Sequence, residues 1–248
     1  MRLVAKRLIE IGKVPIGKEI KICASIMGND ENEILELLNR TNDADLIEIR
    51  LDSLQKINPA ITKRILRKVK DHTDYPIIAT NRMEAEGGSF PGSEKDRIEN
   101  LIASFGIADA IDIELRAQPE LRNRVIGKAK EKRTPIIVSY HNFRGTQPKN
   151  ELLQILDEEI QIGASIAKIA VMPKSLEDIL DMLNTTLQAK KIIENPISII
   201  AMGEIAKHTR AIIPIYGSDL IYASIGGREA APGQLTVQEL KQILKILT

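Results

Sequence analysis

An α/β fold of the (β/α)8 TIM barrel type is predicted by three features of the sequence. Short apolar, β-branched runs recur at residues 20–27, 45–51, 76–81, 108–115, 135–141, 165–171, 196–202 and 219–224. A stretch of helical periodicity follows each run, as parallel strands joined by crossover helices require. The alternation fills 248 residues with no linker or composition break, close to the roughly 250 residues typical of a closed eightfold barrel. An open doubly wound sheet usually carries Gly-x-Gly-x-x-Gly after its first strand; here Met27-Gly28-Asn29-Asp30 follows instead. A single domain over residues 1–248 is therefore expected. Residues 1–18, with apolar pieces at Arg2-Leu3-Val4 and Leu8-Ile9-Glu10-Ile11-Gly12, are expected to form a short β-hairpin covering the barrel bottom.

Each helix has its own warrant. In 30–38, Ile34, Leu35 and Leu38 fall at helical spacing. In 59–69, Pro59 stands in the first turn, where its missing N–H costs nothing, and Ile61, Ile65, Leu66 and Val69 form one stripe. The stretch 93–105 opens on Ser93 as N-cap, with Asp96 three residues on. Stretches 119–132, 149–162 and 175–193 repeat the logic, and 203–212 is a shorter helix. Thr236 caps the last helix, 236–247, with Glu239 three residues on.

Bulk properties narrow the function. The net charge of +1 offers no electrostatic case for nucleic acid or an anionic membrane. No apolar run reaches the roughly 18 residues of a bilayer span, and residues 1–21 lack a signal-peptide core. The single cysteine, Cys23, excludes an intrachain disulfide and a cysteine-cluster zinc site. No metal-ligand spacing and no nucleotide-binding glycine loop occurs. The expectation is a cytoplasmic enzyme or binding protein, with no metal or cofactor.

A barrel keeps its working groups at the C-terminal ends of its strands. Polar residues fall there repeatedly: Ser25, Glu48 with Arg50, Arg82 with Glu86 in the following loop, Asp112 with Glu114, Ser139 with His141, and Lys168. Arg210 follows strand seven, and the last loop holds Gly226-Gly227 and Ala231-Pro232-Gly233-Gln234. Ionisable groups converging from so many strands are costly to bury unless paired or functional. Lys168 is the most unusual. It interrupts the apolar run Ile166-Ala167-Lys168-Ile169-Ala170-Val171, and both faces of that strand are otherwise apolar. Alone, a strand-end ion pair would account for it, as a mutual ion pair would account for Glu48 and Arg50. Beside His141 it acquires a general acid/base, and Arg210 offers the side chain best suited to a carboxylate. Lysine, histidine and arginine together suggest imine chemistry on a ketone that carries an acid group. Two alternatives stay open on these residues. One is a different Schiff-base barrel lyase, such as a class I aldolase using Gly226-Gly227 for a phosphate. The other is a non-catalytic barrel that only binds.

The motifs in order are Ser25-Ile26-Met27-Gly28, Glu48-Ile49-Arg50-Leu51-Asp52, Arg82-Met83-Glu84-Ala85-Glu86-Gly87-Gly88, Asp112-Ile113-Glu114-Leu115, Ser139-Tyr140-His141-Asn142-Phe143, Ala167-Lys168-Ile169-Ala170-Val171-Met172-Pro173, Met202-Gly203 with Arg210, and Ala231-Pro232-Gly233-Gln234. From about Glu19 onward the chain resembles type I 3-dehydroquinate dehydratase, the class I Schiff-base enzymes of the shikimate pathway. The resemblance implies dehydration of 3-dehydroquinate to 3-dehydroshikimate, the third step toward chorismate and the aromatic amino acids. It implies that Lys168 forms the imine, that His141 is the acid/base and that Glu86 tunes it. It implies Arg210 for the substrate carboxylate and Glu48, Arg50, Arg82 and Gln234 for the ring hydroxyls. Ser25, Met202 and Tyr222 would line the pocket, residues 225–234 would close over it, and a homodimer is expected. The chain departs from the family at Ala230, where many members have serine, at Ala206, often glycine, and at Asn142, often aspartate.

Overall fold

The apolar runs become strands because β-branched residues fill both faces of a sheet covered on both sides. In the structure, a computed structural model that describes residues 7–248, the strands are β1 (Ile9–Ile11), β2 (Val14–Ile16), β3 (Lys21–Ile26), β4 (Leu46–Arg50), β5 (Ile77–Thr80), β6 (Ala110–Glu114), β7 (Ile136–Asn142), β8 (Ile166–Val171), β9 (Ile197–Ala201) and β10 (Leu220–Ala223). The helices are α1 (Glu31–Asn39), α2 (Pro59–His72), α3 (Glu94–Ser104), α4 (Pro119–Lys132), α5 (Lys149–Gln161), α6 (Leu176–Ile192), α7 (Thr209–Tyr216) and α8 (Val237–Leu247).

β3 to β10 form one parallel sheet in the order β10-β3-β4-β5-β6-β7-β8-β9. Its two ends meet and close the barrel. There the Asp219 N–H donates to Ile197 O at 2.8 Å and the Ile197 N–H to Asp219 Oδ2 at 2.9 Å. Ser198 Oγ donates to Leu220 O at 2.7 Å, and the Ile199 N–H to Ser218 Oγ at 2.9 Å.

Inside the barrel the filling changes from bottom to top. The lower inward positions, Cys23, Leu46, Ile78, Ala110, Ile137, Ile166 and Leu220, form one apolar cluster, which Ile11 and Ile16 of the hairpin seal from below. Two residues further along six of these seven strands the inward positions are polar: Ser25, Glu48, Thr80, Asp112, Ser139 and Lys168, all buried. A strand reverses face at every residue, so a step of two keeps these side chains inside. Outside, Ile47, Ile49, Ile111 and Ile113 pack against helical residues such as Leu66 and Leu101, each full burial contributing about 1.5–3 kcal/mol. Ser93, Ser175 and Thr236 cap α3, α6 and α8.

Two expected elements change. The hairpin pairs residues 9–11 with 14–16, so the piece at Leu8–Gly12 is its first strand; the expected strand at Arg2–Val4 lies outside the described residues. The helix expected at 203–212 begins only at Thr209 and runs through Pro214 to Tyr216. Gly203 has φ 91, outside helical space, and a 3-10 turn at Glu204–Ala206 separates it from the helix.

Candidate active site

Lys168 sits mid-strand in β8, and its neighbour across the ladder is Ser139 of β7. The amine is held at its tip. Nζ donates to Asp112 Oδ2 at 3.0 Å, lies 3.9 Å from Glu48 Oε1, and lies 3.9 Å from the centre of the Tyr222 ring. Asp112 is the centre of the surrounding network. It meets Arg82 at 2.9 Å and accepts from Ser139 Oγ at 2.7 Å. Burial pushes the Asp112 carboxyl up; Arg82 and Lys168 outweigh it and hold the group well below the usual carboxylate range. Arg82 also binds Glu114 at 3.1 Å and Ser139 at 2.7 Å. Glu114 in turn meets Arg97 of α3 at 2.8 Å. Positive and negative groups thus alternate from α3 inward to Lys168, which is how buried charge becomes tolerable.

Glu48 and Arg50 do not pair with each other. Glu48 accepts from Ser25 at 3.0 Å and Thr80 at 2.8 Å. Arg50 makes a two-point contact with Asp52, at 2.9 and 2.7 Å. Asp52 also accepts the Arg82 main-chain N–H at 3.0 Å, so it ties the end of β4 to the loop after β5. That loop turns tightly: a Cβ on Gly88 would lie 1.9 Å from Arg82 O.

The turn delivers Glu86 to His141. Glu86 Oε2 meets the His141 main-chain N–H and Nδ1, each at 2.9 Å, so Nε2 is the ring nitrogen left for a ligand. Burial pushes the Glu86 carboxyl up to about 8, against the pull of Arg82. Burial pushes the His141 imidazole well below its usual range, and Arg82 and Lys168 add to the effect.

Arg210, on α7, is nearly as buried as Lys168, yet none of the ion pairs among the described residues reaches it. Its Nη2 donates to Pro232 O at 2.9 Å, and its Nε has no hydrogen-bond partner there. Burial pulls the guanidinium down to about 10, opposed only by Glu229. An arginine held this way is short of an anion. Arg210→Ala should therefore weaken binding of an anionic ligand by about 2–4 kcal/mol, roughly a 30- to 1,000-fold rise in KM. An unchanged KM in steady-state kinetics would exclude Arg210 as the anion's partner.

Residues 225–234 cover the mouth. Pro232 O accepts from the Gly203 N–H at 2.9 Å as well as from Arg210, and Gln234 Oε1 accepts the Ala230 N–H at 2.7 Å. Gly233 has φ 71, and a Cβ there would lie 2.6 Å from Gly203 O, so only glycine fits. On the outer side Arg228 pairs with Glu33 and donates to Met27 O at 3.3 Å.

Beneath this cover lies a cavity. Every residue expected at the site lines it: Ser25, Glu48 and Arg50 from one side, Arg82, Glu86 and His141 from the next, Lys168 at the base, then Met202, Arg210 and Tyr222, with Ala230 and Gln234 from the lid. Gly226-Gly227 does not line it; Gly226 lies near Leu37 and Arg40. Phe143, Ile200 and Ala231 add apolar wall, Ile200 from outside the sequence motifs. Asp112 stood in the sequence as one acid among several, and its direct hold on Lys168 comes only from the fold.

The three departures are accommodated. Ala230 offers its main-chain N–H to Gln234. Ala206 is buried in its turn among apolar neighbours. Asn142 Oδ1 accepts the Arg144 N–H at 2.9 Å, as an aspartate could.

Fold and site together define a class: β/α-barrel enzymes that hold a lysine amine, a histidine and an anion-seeking arginine in one covered cavity. Comparison with known proteins narrows it. The sequence model described as Type I 3-dehydroquinase matches residues 22–248. A 3-dehydroquinate dehydratase of Methanosarcina barkeri is 43% identical over 246 residues, covering 97% of this chain and 100% of that one. One from Methanothermobacter thermautotrophicus is 40% identical, covering 90% and 96%. The crystal structure of type I 3-dehydroquinate dehydratase from Clostridium difficile, with covalently modified comenic acid, superposes with a TM-score of 0.91 at 30% identity over 98% of both chains. The chain belongs to the type I 3-dehydroquinase family.

Proposed function

We propose that this chain dehydrates 3-dehydroquinate to 3-dehydroshikimate through an imine at Lys168. The observation that carries the reading is the pairing, in one covered cavity, of a lysine amine with an arginine that none of the ion pairs among the described residues reaches. Together they fit a substrate that is both a ketone and a carboxylate.

In this reading Arg210 binds the C1 carboxylate, and Lys168 gives up a proton to His141 so that its amine adds to the C3 ketone, the resulting hydroxyl taking that proton. Loss of water leaves a cationic imine. His141 then removes a C2 proton, and the electron pair moves into the C2–C3 bond to give an enamine. Return of that pair expels the C1 hydroxyl, which takes the proton from His141 and leaves as water. A second water hydrolyses the imine and frees Lys168, so the net change is loss of one water. Glu86 orients His141 through Nδ1. Asp112 holds Nζ and offsets the cationic imine, an electrostatic role in a site sheltered from solvent. Glu48, Arg50, Arg82 and Gln234 hold the ring hydroxyls, and Ser25, Met202, Tyr222 and Ala230 shape the wall and lid. Protein side chains perform every step, so the reading includes no cofactor.

Borohydride added during turnover should reduce the imine and leave the substrate skeleton on Lys168, found by peptide mass analysis. An adduct on another residue, or none, would remove the mechanism.

A cytoplasmic location and a homodimer belong to the same reading. Supporting the dimer, Leu176, Leu180 and Leu187 lie exposed with half-buried Leu183 on one stripe of α6, a spacing that presents a single apolar face. Sedimentation equilibrium returning a monomer at micromolar concentration would remove the dimer and leave the chemistry standing.

A further inference from the structure

Behind the strand that carries Lys168, on the side away from the cavity, lies an acid that the mechanism above does not use. Glu159, on α5, is fully buried. Its Oε2 accepts the main-chain N–H of Lys168 at 2.9 Å, and its Oε1 has no hydrogen-bond partner among the described residues. Its main-chain carbonyl accepts the Ala164 N–H at 3.0 Å, in the turn that leads into β8. One residue thus grips the lysine strand twice, at its approach and at the lysine itself.

We propose that Glu159 is a positioning residue for Lys168, fixing the main chain from which the amine reaches the substrate ketone. The inference rests on the reading that Lys168 forms the imine.

The chemistry of the group fits the role. Burial raises the Glu159 carboxyl well above its usual range; the Lys168 N–H offsets this only in part, and the charges of Asp112 and Glu86 add to the rise. Glu159 accepts the N–H through one oxygen. Its partner is backbone rather than the amine, so it leaves Nζ to Asp112. The lysine is then held at both ends, by Asp112 at Nζ and by Glu159 at the main chain. Lysine is a flexible four-carbon stem, and a shift at its base travels to its tip. A misplacement of about 1 Å at a reacting atom can cost on the order of 100-fold in rate.

The test uses Glu159→Gln, Glu159→Met and Glu159→Asp in the full chain, read by kcat, KM and borohydride trapping. Glutamine keeps a carbonyl oxygen for the Lys168 N–H, so kcat should stay within about threefold of wild type. Methionine keeps the volume without an acceptor, and aspartate is one methylene too short to reach. Both should lower kcat by about tenfold or more and slow trapping at Lys168, with KM moving less than about threefold because Arg210 and the lid are untouched. Met or Asp variants with wild-type kcat would overturn the proposal, as would a Gln variant that falls as far as Met. If the Met variant does not fold, the Asp variant decides alone. Failure of the imine reading is separate: it shows as no Lys168 adduct in the wild-type protein.

Discussion

Replacing Lys168 by alanine should lower kcat by about 10⁴-fold or more, because no other group in the cavity can carry the substrate as an imine. The loss should be in kcat rather than KM, since Arg210 and the lid remain to bind. The same change also strips Asp112 of one of its two cationic partners. Breaking a buried pair by removing one member costs about 3–5 kcal/mol of stability. Lys168→Arg separates the two effects. Its guanidinium can face Asp112 but is not a nucleophile, so it should regain part of the stability and none of the activity. Urea unfolding and steady-state kinetics on both variants read the two quantities. A Lys168→Ala protein within tenfold of wild-type kcat would end the covalent reading.

His141→Ala should lower kcat by about 10²- to 10⁴-fold, the usual contribution of a positioned general acid/base. Trapping at Lys168 should persist, because condensation with the ketone needs the base less than C2 proton removal does. Turnover close to wild type would remove His141 from its role. Wild-type protein carries a pH signature of the same group. Burial, Arg82 and Lys168 hold the His141 pKa below its ordinary 6.5, so the ring is neutral above that lowered value and charged beneath it. Activity that needs the free base is present above it and lost as pH falls through it. The acid limb of kcat/KM should therefore lie below 6.5, and a limb at or above that value would contradict the geometry.

Much of this was legible in the sequence, for physical reasons. The barrel showed itself because each strand is buried on both faces and so reads as an apolar run. The site showed itself because polar residues interrupt those runs two residues beyond the apolar layer. What stayed hidden depends on curvature and packing. Asp112 and Glu114 share one strand face and look alike in sequence; the closed barrel sends the first to Lys168 and the second toward Arg97. Glu159 and Arg97 occupy amphipathic helices among exposed charges, and only the seating of those helices on the sheet shows that these two are buried. The late start of α7 turns on Gly203, whose left-handed backbone has no signature beyond being glycine.

The barrel's closure has a consequence for how this sequence can drift. Backbone ladders join seven of its junctions, and almost any residue supplies a backbone donor and acceptor. The junction between β9 and β10 has the main-chain bond from the Asp219 N–H to Ile197 O and is otherwise fastened by the side chains of Ser198, Ser218 and Asp219. There the wall behaves like a clasp on a woven band. Two serines and an aspartate, none of them in contact with substrate in the proposed mechanism, hold shut the side between Arg210 and Tyr222. Changes at these three positions should be felt first as a breathing wall, with faster amide exchange along β9 and β10, and only afterwards as lost chemistry.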